Sequence, residues 1–311
     1  MGIFRPQQVT YDYGHIRLGG QLGEHPTVLI GSIFHTGHQI VSDHVHGVFD
    51  KRKAEHLINL QSEMSDRTGN PCMVDVVGET SEALIKYLDF VSEIADTPLL
   101  LNGSTWQVRA RAANHIREIG LEERAIYNSI NYKINDEEVD AIRTSGIKSA
   151  IIQGFHPRNP LPKGMLQILT KSQKADTKGN GLINQAYHAG IEKPLLFTPV
   201  FDVPSIGVAS SAISLLKQHL GLPTGTAPVG VIGRWQGIDK LGRLAKRDCR
   251  IGATTLAQAM GADFLIYGSL AKARNIFPAC AMIDAVLAYT ARIQGRLQIR
   301  TKHPFYKIFQ G

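Results

Sequence analysis

Cysteine is scarce: 311 residues include three, Cys72, Cys249 and Cys280. They lie far apart, without the paired spacing of a zinc site or the even number a disulfide framework needs, so a reducing, cytoplasmic setting is expected. Long apolar runs are missing too. No stretch is expected to approach the roughly 18 apolar residues that cross a bilayer. The opening MGIFRPQQVTYDYGHIRLGGQLGEHP has no signal-peptide core, and Pro6 stands where a myristoylation signal carries Ser or Thr. Work at a membrane would then be that of a peripheral subunit. No Ser/Gly-rich or Pro-rich linker interrupts the chain, and 43% hydrophobic residues suffice for a large core, so one domain over residues 1–311 is expected.

Acidic residues are the minority, 27 against 34 Lys and Arg, giving a net charge of +7. The excess lies on expected helix faces (Lys240, Arg243, Lys246, Arg247, Arg250) and in the tail from Arg292 to Lys307. Such runs read as solvated faces, or as a docking surface for an acidic protein, and no nucleic-acid partner is expected.

What the chain does have is rhythm. Eight apolar or β-rich runs alternate with helical segments: Thr27 to Phe34, Cys72 to Val77, Pro98 to Leu101, Arg124 to Tyr127, Ser149 to Ile152, Pro194 to Phe201, Pro223 to Ile232 and Asp263 to Tyr267. Strands alternating with helices imply a parallel sheet, and eight such units in about 250 residues predict a closed α/β (β/α)8 TIM barrel. Val9 to Gly20 alternates weakly and contains Gly19-Gly20, which predicts a short hairpin closing the barrel bottom. Asp50, Thr80 or Ser81, Ser104 and Asn135 stand where helix caps are needed. Two connections exceed the short default. Phe155 to Lys178 is a candidate lid. His35 to Asp50 carries His35, His38, His44 and His46, whose spacing matches no metal motif, so loop packing or polar ligand contacts are expected and no metal.

Side chains at the C-terminal ends of barrel strands line the active site of this fold. Here those ends carry Asp75, Asn102, Asn128 with Ser129, Gln153 and Asp202. None of the runs ends in Lys, which argues against Schiff-base chemistry. Two Asp among amides and hydroxyls are too few for metal-assisted hydrolysis or proton abstraction. Gly268-Ser269 after the eighth run is only a weak phosphate loop. What remains is a hydrogen-bonding surface. It suits a flat heterocycle with alternating donors and acceptors, such as the 2-amino-4-oxopyrimidine ring of a pterin, whose paired donors one carboxylate accepts together. Sugars, or the backbone of the turns themselves, would also use such residues.

At these same residues the chain resembles the methyltetrahydropterin:corrinoid methyltransferases, most closely the H subunit of tetrahydromethanopterin S-methyltransferase and its bacterial methyltetrahydrofolate-linked relatives. The resemblance runs through PTVLIGSIF, GVFDKRKAE, TGNPCMVDVVG, SEALIKYLDFV, GLEERAIYNSI, GIKSAIIQGFHPRNP, FDVPSIG and GRWQG. It implies a homodimeric barrel that moves a methyl group between N5 of a tetrahydropterin and the cobalt of a corrinoid on a separate protein. By position, Asn128 in YNSI resembles the pterin-binding Asn of the fourth strand, Asp202 in FDVP the Asp of the sixth, and Asp75 a third contact. Two positions depart: Asn102-Gly103-Ser104 replaces the usual Asp-Ser-Thr or Asp-Gly-Thr, and Gly230 aligns where relatives place an Asn near N5. A neutral amine leaves only when protonated or strongly hydrogen-bonded, so Asn102, Arg234 or a water would have to supply the donor that Gly230 lacks. The resemblance therefore implies a methyltransferase, or else a non-catalytic subunit that holds a pterin or docks a corrinoid protein.

Overall fold

The computed structural model describes residues 4–171, 181–295, 297, 299 and 302–309. All eight runs become strands: β1 (Val28–Ile33), β2 (Cys72–Gly78), β3 (Leu99–Gly103), β4 (Ala125–Ile130), β5 (Ser149–Gln153), β6 (Lys193–Thr198), β7 (Thr224–Thr226) and β8 (Phe264–Ser269). Each pairs in parallel with its neighbours, and β8 pairs with β1 to close an eight-stranded barrel. The (β/α)8 expectation holds.

The expected hairpin is present as Thr10–Tyr13 paired with Ile16–Gly19. Its Tyr13, Ile16 and Leu18 are buried in one cluster with Val28, Met73, Leu100, Ile126, Ile151, Leu195 and Phe264 from the barrel interior. The Tyr13 hydroxyl bonds to Ser149 Oγ at the start of β5 (2.5 Å), and Lys193 Nζ donates to Asp12 O at the start of β6 (2.9 Å). The N-terminal end of the barrel is therefore plugged.

The helices cover the outside. They include α1 (Lys51–Thr68), α2 (Ser81–Ile94), α3 (Trp106–Glu118), α4 (Asp136–Ser145), α5 (Pro162–Thr170), α6 (Leu182–His188), α7 (Ser205–Leu220), α8 (Val229–Arg234), α9 (Ala245–Ala259), α10 (Ala273–Gly295) and α11 (Pro304–Ile308). Asp50, Thr80 and Asn135 accept the expected cap bonds from Lys53 N, Ala83 N and Glu138 N. Thr105, not Ser104, caps α3, because the Ser104 hydroxyl is turned to Glu79 O (2.7 Å).

Three expectations change. The run Pro223 to Ile232 is a three-residue strand followed by α8: Val229, Val231 and Ile232 are buried while Gly230 and Gly233 face out, a helical rather than a period-two pattern. The candidate lid from Phe155 to Lys178 contains α5, whose Met165, Ile168 and Leu169 are buried, so that part is barrel wall; residues 172–178 lie outside the described residues. One stretch, Leu270–Gln294, is long and apolar enough to cross a membrane, with a mean hydropathy of 1.5; half of its apolar window is buried against the rest of the fold.

Asp284 on α10 fastens that helix to the barrel base. Its carboxyl, 2% exposed, accepts from Thr27 N (2.9 Å), Thr27 Oγ1 (2.9 Å) and Asn70 Nδ2 (2.5 Å). Burial raises its pKa from 3.8 to about 6, against the pull of these donors. The folded state then holds a proton that the unfolded chain has released, so the contribution of Asp284 to stability is full below about pH 4 and is lost as pH rises through 6. Asp284→Asn cannot titrate. Urea melts between pH 4 and 7 should therefore show the wild type losing about 3 kcal/mol relative to this variant, and parallel pH profiles would contradict the assignment.

Candidate functional site

Side chains alternate along a strand, so an inward apolar residue predicts another inward residue two positions on. In five successive strands that next residue is polar. Ile30, Met73, Leu100, Ile126 and Ile151 belong to the plugged interior, and two residues later stand Ser32, Asp75, Asn102, Asn128 and Gln153. Together they form a polar tier at the open end of the barrel, over an apolar floor.

Asp75 is its centre. The carboxylate is 2% exposed and draws donors from three strands. Ser32 Oγ donates to Oδ2 (2.7 Å), Asn128 Nδ2 to Oδ1 (3.1 Å), and Asn102 Nδ2 to Oδ1 (3.1 Å) and Oδ2 (3.3 Å). Burial lifts the carboxyl above its usual range, while these bonds and the nearby His35 pull it back. Sequence reasoning picked out Asp75, Asn102 and Asn128, and the structure brings them together. It missed Ser32, whose only signal was a hydroxyl inside the apolar run PTVLIGSIF. Ser129 is buried beside Asn128, at a register shift where β4 slips against β5. Gln153, half-buried, closes the tier with no side-chain hydrogen bond to another described residue.

A buried ion pair supports this tier from outside. Arg109 of α3 donates to Glu138 Oε1 (2.9 Å) and to Gly103 O (3.1 Å), next to Asn102, and the Tyr127 hydroxyl, next to Asn128, also donates to Glu138 Oε1 (2.8 Å). Arg109 and Glu138 are 6% and 2% exposed. The two amides are thus held by one network.

The histidines form a turn. Phe34, immediately after β1, has φ of 63°, a left-handed conformation unusual for a bulky residue. Phe34 N donates to His38 Nδ1 (3.1 Å), and the Phe34 ring stacks on Tyr87 with centroids 4.1 Å apart. His38 stacks on His35, and burial lowers its pKa to about 4, which keeps Nδ1 an acceptor. His46 pairs instead with Asp43 (2.8 Å) in a small ribbon, Val41–Asp43 with Val48–Phe49.

Asp202 takes no part in the hydrogen bonds around Asp75. On β6 the inward positions are Leu195 and Phe197, and the strand ends at Thr198, four residues before Asp202. Asp202 is exposed at the start of α7, where its Oδ1 accepts from Ser205 N (2.8 Å) and the Ser205 hydroxyl donates back to Asp202 O (2.9 Å). Those Ser205 groups hold its carboxyl below the usual range. It shares a cleft of about 290 Å³ with Phe201, Trp235 and Arg234. Arg234 and Gly230 are both exposed on α8, and a Cβ at Gly230 would meet nothing within 4 Å. A larger cleft of about 490 Å³, lined by Arg17, Asp66 and His303 among others, is at the plugged end, away from the tier.

The closed eight-stranded parallel barrel is a fold shared with dihydropteroate synthases. The enzyme of Yersinia pestis, solved in a sulfonamide drug complex, superposes with a TM-score of 0.59 at 13% identity, over 89% of this chain and 98% of that one. The enzyme of Xanthomonas albilineans gives 0.55 at 16% identity, over 90% and 98%. At such identities the likeness is one of fold. The sequence goes further: residues 6–299 match the tetrahydromethanopterin S-methyltransferase MtrH subunit family, and the chain belongs to it. The family member of Methanothermobacter marburgensis is 38% identical over 309 residues, covering 98% of this chain and 99% of that protein. That of Methanosarcina acetivorans is 38% identical over 300 residues, covering 94% of each.

Removing one partner of a buried pair leaves a charge without compensation. Arg109→Met should therefore destabilise the fold by about 3 to 5 kcal/mol, whereas Arg109→Met combined with Glu138→Gln should recover part of that loss. Denaturant midpoints of the single and double variants measure both, and an Arg109→Met midpoint equal to wild type would dismiss the network as a support.

Proposed function

We propose that the chain is a methyltransferase moving a methyl group between N5 of a tetrahydropterin, tetrahydromethanopterin or tetrahydrofolate, and the cobalt of a corrinoid carried by a partner protein. The observation that carries this reading is the buried Asp75 carboxylate, set among amides from two further strands at the open end of the barrel. A carboxylate has about four lone-pair sites, and a pterin's 2-amino group and adjacent ring N–H are two parallel donors. Asp75 would take that edge in place of the two long Asn102 bonds of 3.1 and 3.3 Å, which releases the Asn102 amide toward the rest of the ring. In this reading Asn128 donates and accepts at neighbouring ring atoms with the amide capacity that its bond to Asp75 leaves, and Ser129 and Gln153 complete the pocket.

The corrinoid supplies the cobalt centre that gives or takes the methyl group. The chain's own task is at N5, which keeps the electron pair of the broken N–CH3 bond and needs a hydrogen-bond donor as that pair develops. Asn102 is held in the tier, while Arg234 is at the rim on α8 beside Gly230. We assign the N5 donor to Asn102, with Arg234 facing the partner. Homodimer formation, a cytoplasmic setting and peripheral attachment to a membrane complex belong to the same reading.

The bare Gly230 favours a second reading, a subunit that binds pterin and docks the corrinoid protein without catalysing transfer. Gly230→Asn distinguishes them, since the site has room for the side chain: if binding occurs without turnover and the variant does not restore it, the second reading holds.

Cobalamin absorbance should report methyl transfer only when reduced pterin and protein are both present. No change with either pterin sinks the proposal. Asp75→Ala should weaken pterin binding about 30- to 1,000-fold, the loss of a buried charge-assisted pair, while Asp202→Ala should change it far less. Calorimetric titration reads both.

A further inference from the structure

The fold neutralises buried cations with care: Arg109 meets Glu138, and Lys217 meets Asp263 at 2.6 Å. Lys272 and Arg250 are different. Both are partly buried, and among the described residues neither makes an ion pair or donates a side-chain hydrogen bond; Arg250 Nε is fully buried with no partner. They also feel each other. Burial, then the Arg250 charge, lowers the Lys272 pKa from 10.5 to about 8, and burial lowers that of Arg250.

Their place in the barrel gives this charge a use. Lys272 follows β8 directly, and Arg250 is in the first half of α9, the helix leading from β7 to β8, so both belong to the open end. Two glycines bare them. A Cβ at Gly268 would fall 2.8 Å from Lys272 Nζ, and one at Gly233 would fall 3.3 Å from Arg250 Nη2. Loops after the seventh and eighth strands are where barrels of this kind bind phosphate. Ser269 on β8 registers with Ser32 on β1, and Ser32 with Asp75 on β2, so the end of β8, three residues before Lys272, stands two strands, about 10 Å along the sheet, from Asp75. One extended ligand spans that distance.

We propose that Lys272 and Arg250 form an oxyanion subsite that takes the negatively charged tail, phosphate or carboxylate, of the same ligand whose flat ring lies on Asp75. The proposal rests on the pterin reading for the identity of the ligand, and on the unpaired cations for the subsite itself. It places ring recognition on β1 to β4 and tail recognition after β7 and β8, on either side of the β8–β1 seam.

The test is calorimetric titration of the full chain with a tetrahydropterin carrying its charged tail and with the same ring cut back to an uncharged 6-methyl group. Wild type should bind the tailed ligand about 10- to 100-fold more tightly. Lys272→Met and Arg250→Met should lose that advantage, Lys272→Arg should keep it, and affinity for the ring alone should stay unchanged in all three. Equal affinity for the two ligands in wild type, or a loss shared by both ligands in the variants, overturns the assignment. Inorganic phosphate, titrated alone at constant ionic strength, separates this from the pterin reading. If no pterin binds, phosphate uptake that vanishes in both Met variants upholds the oxyanion site, and no phosphate uptake by wild type defeats it.

Discussion

A carboxylate taken out of water must be given hydrogen-bond donors, and Asp75 can find enough of them only by drawing on its neighbours across the sheet. Ser32 comes from β1, Asn102 from β3 and Asn128 from β4. Each has to stand at the same height in the barrel, so the carboxylate sets the relative register of four strands as well as the polarity of the mouth. The outer support follows from the same demand. Arg109, Glu138 and Tyr127 hold the backbone beside the two amides from the helix side.

The rest of the molecule separates stability from recognition by height. The lower end is closed by apolar packing and by the Asp284 and Lys217 contacts, which fasten helices to strand starts. At the upper end, among the described residues, Gln153 in the tier and Lys272 and Arg250 at the rim keep side-chain bonding capacity. Membership of the tetrahydromethanopterin S-methyltransferase MtrH subunit family supports a methyltransferase-related role, and the likeness to dihydropteroate synthases is one of fold.

Much of this was legible in the sequence because it depends on local periodicity. Strand runs, the bottom hairpin and three of the four helix caps follow from patterns a few residues long. Asn102 and Asn128 were legible because each follows an apolar run, and Asp75 because it is a charge inside one. The failures share a cause as well. Valine and isoleucine in Pro223 to Ile232 suit a strand by propensity, yet the barrel gave that stretch three strand residues and a helix, placing Gly230 on an exposed surface. The apolar run through Phe201 hid the end of β6 at Thr198, so Asp202 read as a strand end when it lies in the turn before α7, its Oδ1 accepting from Ser205 N. Ser32 was masked by the apolar residues around it. The unpaired state of Lys272 and Arg250 depends on what the fold fails to bring near them, which no local pattern encodes.

The hairpin plug has a kinetic consequence. A barrel sealed at one end has a single entrance, so a small ligand seated on Asp75 must arrive before any macromolecule covers the mouth and can depart only after that partner has gone. Entry and exit at such a well share one path, so whatever covers the mouth governs both.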